Sequence, residues 1–94
     1  MAQSKEYKEC VRVYNRIFKI DISPETSFYD STVYHQDACH EIIDEAWHYE
    51  MEFEGDGTEY IKDSLDTLKR ILKYMQSAQK TSKLLLETKS LAIV

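Results

Sequence analysis

The only proline of this chain is Pro24 and its only glycines are Gly55 and Gly57, so nothing that breaks a helix occurs between Thr58 and Val94. Both residue types fall far below their usual shares of roughly 5% and 7%, which leaves little turn chemistry for β-hairpins. Long uninterrupted helices are then the available way to bury the hydrophobic residues, which make up 43% of the 94 positions. A chain of this length can bury one modest core. The expected fold is all-α: a small three- or four-helix bundle in a single domain, with a long C-terminal helix.

Apolar spacing places the helices. Tyr7, Val11, Tyr14 and Phe18 recur at intervals of four, three and four, with Cys10 and Ile17 beside them, and predict a first helix over roughly 4–20. DISPETSFYDS follows as a connector in which Ser23, Pro24 and Glu25 suit one short turn. Asp30 or Ser31 is the expected N-cap of a second helix over 31–53, which Gly55 and Gly57 end. Its expected core line is Ala38, Ile42, Ala46, Tyr49 and Phe53, with His35 pointing inward. Thr58 is the expected cap of a third helix over 58–80, with Ile61, Leu65, Leu68, Leu72 and Met75 on one face. The stripe lapses at SAQKTS, so residues 82–92 are expected to continue that helix, form a short fourth one, or remain a loose tail.

Charge divides the chain into three blocks. Residues 1–20 carry a balance of +3, residues 21–59 hold twelve acids and no Lys or Arg, and residues 60–94 return to +4. No apolar run approaches the roughly 18 residues of a membrane span, and the N-terminal stretch lacks the apolar block of a signal peptide. A cytoplasmic protein is expected, with Cys10 and Cys39 reduced and buried. Lys62, Lys69, Lys73 and Lys80 form a basic stripe, but a net charge of -5 argues against nucleic acid as the partner.

HEIIDEAWHYE, residues 40–50, spaces His40, Asp44 and His48 four apart, as metal ligands often are. Residues eight apart on a helix are separated by about 12 Å along its axis, too far for one ion to take both histidines. HEIID also lacks the second histidine of the H-E-x-x-H zinc pattern. His35, Cys39 and Cys10 could supply three ligands of a structural zinc site, although buried cysteines are usually metal-free. No metal and no cofactor is expected. Glu41-x-x-Asp44 and Asp63-x-x-Asp66 resemble the paired acidic motifs of all-α nucleoside triphosphate pyrophosphohydrolases, with Asp where that family mostly has Glu. The resemblance implies a magnesium ion held by these carboxylates. With Ile61, Leu65 and Leu68 inward, however, Asp63 and Asp66 are expected on the side of helix three that faces away from helix two. This enzyme reading stands second.

A further stripe runs along helix two at intervals of seven, through Val33, His40 and Trp47, with Met51 beside it. Asp37, Asp44 and His48 border it, giving an apolar anchor with a charged rim. The expected partner-binding residues are Trp47, Met51, His40, Asp44, His48, Glu41, Glu45 and Glu52. Twelve acids without a nearby base call for a basic protein partner. A small, acidic, Tyr-rich helical chain without a catalytic motif resembles in kind the immunity proteins that neutralise basic nuclease toxins, and some antitoxins and phage-encoded inhibitors. The resemblance implies stoichiometric binding. Two competing expectations are that the stripe pairs with a second copy of the chain, and that Trp47 is core because the bundle covers helix two on both sides, its acids matched by the basic outer helices.

Overall fold

The computed structural model describes residues 3–53 and 57–93, with side chains described for 3–52 and 57–88. Among these residues there are three helices and no strand: α1 Lys5–Phe18, α2 Phe28–Phe53 and α3 Thr58–Ile93. All three pack against one another, α2 antiparallel to both neighbours. None is long and apolar enough to cross a membrane.

α1 starts where Ser4 accepts the Tyr7 amide at 3.2 Å, satisfying one of the N–H groups that a helix start leaves open. It buries Tyr7, Cys10, Val13 and Ile17. The expected line of Tyr7, Val11, Tyr14 and Phe18 is therefore turned: Val11 and Tyr14 are half-buried and Phe18 is exposed. α1 packs against two helices at once, so its buried arc is centred on Cys10 and Ile17, which had counted only as flanks.

The connector makes the expected turn, in which the Thr26 amide donates to the Ser23 carbonyl at 3.1 Å. α2 then begins at Phe28, earlier than an Asp30 or Ser31 cap would allow, because the Thr26 carbonyl already receives the Tyr29 amide at 3.3 Å. Asp30 lies in the first turn instead, where a negative charge suits the helix dipole. Among the described side chains of α2, Thr32, Cys39 and Ala46 are buried. Of the expected line only Ala46 is fully inside; Ala38, Ile42 and Tyr49 are half-buried, and the Phe53 side chain lies outside the described residues.

α3 buries Ile61, Leu68, Leu72 and Met75 as expected, while Leu65 is half-buried. It continues unbroken for 36 residues, about 54 Å at 1.5 Å per residue, in a molecule 60 Å long, and no fourth helix forms. SAQKTS is no lapse. Ala78 and Ser82 are buried, because the connector lies close over them: Gln79 Nε2 donates to the Asp21 carbonyl at 3.1 Å and Ser82 Oγ to Thr26 Oγ1 at 3.2 Å. Small residues keep the stripe going where the neighbouring backbone is near. Ser82 is the last buried residue among those whose side chains are described, and Leu84 and Leu85 beyond it are exposed.

Candidate functional site: the outer face of the middle helix

The bundle leaves Trp47 half uncovered. The residue is 45% exposed, and Val33 and Met51 are 40% and 57% exposed, which corrects the expectation of a core tryptophan. His40, Glu41, Asp44, Glu45, His48 and Glu52 are exposed as well. A rotation of about 100° per residue spreads these positions over three strips. Val33, His40, Trp47 and Met51 lie on the flank next to α1, Asp37, Asp44 and His48 face straight outward, and Glu41, Glu45 and Glu52 turn toward the α3 flank. The eight candidate residues thus wrap around the helix, and one partner would have to straddle α2 to meet them all.

On the α1 flank His40 is held by this chain. Its Nδ1 lies 2.7 Å from the Tyr14 hydroxyl, and its ring packs 4.7 Å from that of Phe18. Burial, with smaller contributions from Cys39 and Asp44, pushes the Tyr14 phenol upward from its ordinary pKa, so the hydroxyl keeps its proton. Trp47 makes an edge contact with the adjacent His48, at 5.4 Å between ring centroids. Tyr14 and Phe18 were not among the expected site residues; their place on α1's apolar stripe marked them as core.

The acids of α2 are not matched by the basic helices. The charged contacts among the described residues each stay within a single helix: Arg12 pairs with Glu9 at 2.9 Å in α1, and in α2 His48 Nδ1 lies 4.0 Å from Glu52, an ion pair only when the imidazole is protonated. Glu50 alone turns inward, accepting the Ser4 amide at 2.8 Å and the Ser4 hydroxyl. Complementary internal charge therefore does not account for the acidic block.

On the α3 flank, α2 and α3 part to leave an open groove of about 240 Å³. Ile42, Glu45 and Tyr49 line it from α2, and Tyr60, Asp63, Ser64 and Thr67 from α3. Tyr49 and Tyr60 stack with centroids 4.5 Å apart and planes 3° apart. Asp63, expected to face away from α2, stands at this groove with Glu45. Glu41, Asp44 and Asp66 do not line it, so the four acids of the pyrophosphohydrolase-like pattern do not converge there. Tyr60 had no place in the expected site; only its position one turn before Ser64 and two before Thr67 put it on that flank.

The remaining metal candidates are buried or have partners within the chain. Cys10 and Cys39 are free, fully buried thiols, and Cys10 Sγ donates to the Ile61 carbonyl at 3.6 Å. Burial first of all pushes both thiols up to about 11, which keeps them neutral. His35 Nδ1 donates to the Ser31 carbonyl at 2.6 Å while its ring lies 4.8 Å from that of Tyr74, whose hydroxyl is 2.9 Å from Ser31 Oγ. Among the described residues no three His, Cys, Asp or Glu side chains gather as metal ligands do.

The chain matches no protein-family profile, no curated protein and no solved structure.

Proposed function

We propose that this chain is a cytoplasmic, stoichiometric binding protein that masks a basic surface on another protein, in the manner of immunity proteins, antitoxins and inhibitors. One observation carries the proposal: α2 faces solvent with Trp47, Met51 and a row of acids that, among the described residues, no Lys or Arg of α1 or α3 pairs with. A half-exposed tryptophan beside a methionine gives a rigid apolar anchor, and the surrounding carboxylates steer a cationic surface toward it. Met51, Asp44 and His48 stand closest to Trp47 on the helix surface. Glu41, Glu45 and Glu52 would meet Lys or Arg on the far side of a partner that straddles α2.

Capture from the native source followed by mass spectrometry identifies the partner, and calorimetry with the purified pair tests the mode of binding. Trp47→Ala is expected to weaken binding by about 2 kcal/mol, or about 30-fold. Replacing Glu41, Asp44, Glu45 and Glu52 by their amides should slow association and flatten its salt dependence. An acidic partner, or a Trp47→Ala variant that binds as tightly as the parent, refutes the proposal.

Pairing with a second copy is favoured by a different observation, the exposed Leu84 and Leu85 on α3 beyond Ser82. Light scattering decides it: a monomeric mass that is unchanged by Leu84→Lys and Leu85→Lys excludes that route.

A further inference from the structure

The groove between α2 and α3 has unusual chemistry for its size. Glu45 and Asp63 stand on its two walls, and neither makes an ion pair among the described residues. The hydroxyls beside them have already placed their hydrogens: Ser64 Oγ donates to the Tyr60 carbonyl at 3.0 Å and Thr67 Oγ1 to the Asp63 carbonyl at 3.0 Å. What these two oxygens still offer the groove is lone pairs. Apart from the tyrosine hydroxyls, its polar side chains therefore present acceptors only. The Tyr49–Tyr60 stack adds a flat aromatic wall, on which Tyr60 is 57% exposed.

Acceptors on both walls and a planar π-surface between them complement a ligand that is cationic, planar and donor-only. Phosphate or carboxylate would meet two like charges here. A guanidinium matches each demand: it has five N–H donors and no acceptor, forms forked bonds to carboxylates, and stacks on aromatic rings. An ammonium supplies the charge without the plane. No Lys or Arg lines the groove: helical rotation puts Lys62, Lys69, Lys73 and Lys80 on the other flank of α3, and Arg70, one turn beyond Thr67 on the groove's own flank, pairs with neither Glu45 nor Asp63 among the described residues.

We infer that this groove is the seat of an arginine side chain from the basic partner, held between Glu45 and Asp63 and stacked against Tyr60. The inference rests on the proposed binding of a basic protein and adds to it a residue type and a position, on the opposite flank of α2 from Trp47. The two points of attachment would fix how the partner lies across the helix.

The test is a titration of the full chain, followed through its backbone amide resonances, with N-acetyl-arginine amide as probe. The uncharged isostere N-acetyl-citrulline amide and N-acetyl-lysine amide serve for comparison. Arginine should shift the amides of Glu45, Tyr60, Asp63 and Ser64 saturably, lysine more weakly, and citrulline not at all. Glu45→Gln and Asp63→Asn should each weaken arginine binding about five-fold, the range for a partly exposed ion pair. The same spectra report whether each variant is folded. Shifts spread evenly along the acids of α2, or an unchanged titration in both variants, overturn the inference. Failure here with intact, Trp47-dependent binding of a basic protein would remove the arginine seat alone. A functioning seat in a chain that binds no basic protein would instead remove the proposed function.

Discussion

Two neighbouring lines of residues run the length of α2, and each repeats every seven positions. Thr32, Cys39 and Ala46 form one and are buried; Val33, His40 and Trp47, each the next residue along, form the other and are exposed. On these two lines the smaller side chains face the partners and the larger ones solvent, while Ile42, Ile43 and Tyr49 pack against the core from its edge. Small residues inside allow α2 to approach α1 and α3 closely, while the bulk of the core comes from Ile17, Ile61, Leu68 and Met75 on the two other helices. Val33 and Trp47 are thus not part of the buried core, and the half of each that faces solvent is open to contact from outside. Scattered exposed apolar residues need no explanation, but a line of them bordered by unpaired acids does.

Exchanging the two lines at one place is the severest test of this contrast. The double variant Ala46→Trp, Trp47→Ala keeps composition constant and moves the large ring inward. Overpacking at a fully buried alanine should cost about 3 kcal/mol or more in urea denaturation. Trp47→Ala alone should cost less than about 1 kcal/mol, as surface substitutions do. If the single variant loses as much as the exchange, Trp47 belongs to the core and the contrast fails.

The buried line can also be probed through its thiol. A thiol raised from 9.0 to about 11 on folding holds its proton in the native state while the unfolded chain loses it. The unfolded state then binds fewer protons, so stability falls as pH rises past about 9 and continues to fall until the folded thiols ionise near 11. Cys10 and Cys39 should each account for about 1 kcal/mol of loss by about pH 10. Tyr7, also raised mainly by its burial, adds a loss of the same sign at still higher pH. Denaturation of the parent and of a Cys10→Ala, Cys39→Ala variant between neutral and alkaline pH checks this. Parallel curves would mean that the thiols are not buried as described.

The two lines also show how far the sequence could be read. α3 was legible because Ile61, Leu68, Leu72 and Met75 form one strong apolar stripe against a polar remainder, and the absence of Gly and Pro promised its length. α2 was legible as a helix but not in its rotation. Ala38–Ile42–Ala46–Tyr49 and Cys39–Ala46 are overlapping lines about a third of a turn or less apart, and nothing local says which faces the bundle. The second stripe through Val33, His40 and Trp47 could be seen, whereas its exposure depended on where α1 docks. The groove was out of reach altogether, since Glu45 and Asp63 are eighteen positions apart and meet only through the register of α2 against α3.

The smallest expected effect divides the outward line itself. His40 shares that line with Trp47, yet it is anchored to α1 through Tyr14 and Phe18, whereas the ring of Trp47 meets that of His48, its neighbour on the same helix. Tyr14→Phe keeps the ring and removes only the hydroxyl's bond to His40 Nδ1, so it should cost about 0.5–1 kcal/mol in stability. If His40 serves chiefly to fix α1 against α2, this change should leave partner binding within about two-fold of the parent, less than a single hot-spot contact contributes. Equal stability with weakened binding would reverse the assignment: the Tyr14–His40 pair would then belong to the partner's surface, and the docking face would extend from α2 onto α1. A double-mutant cycle with Trp47→Ala separates the two outcomes, because residues that serve one interface couple and residues that serve different ones add.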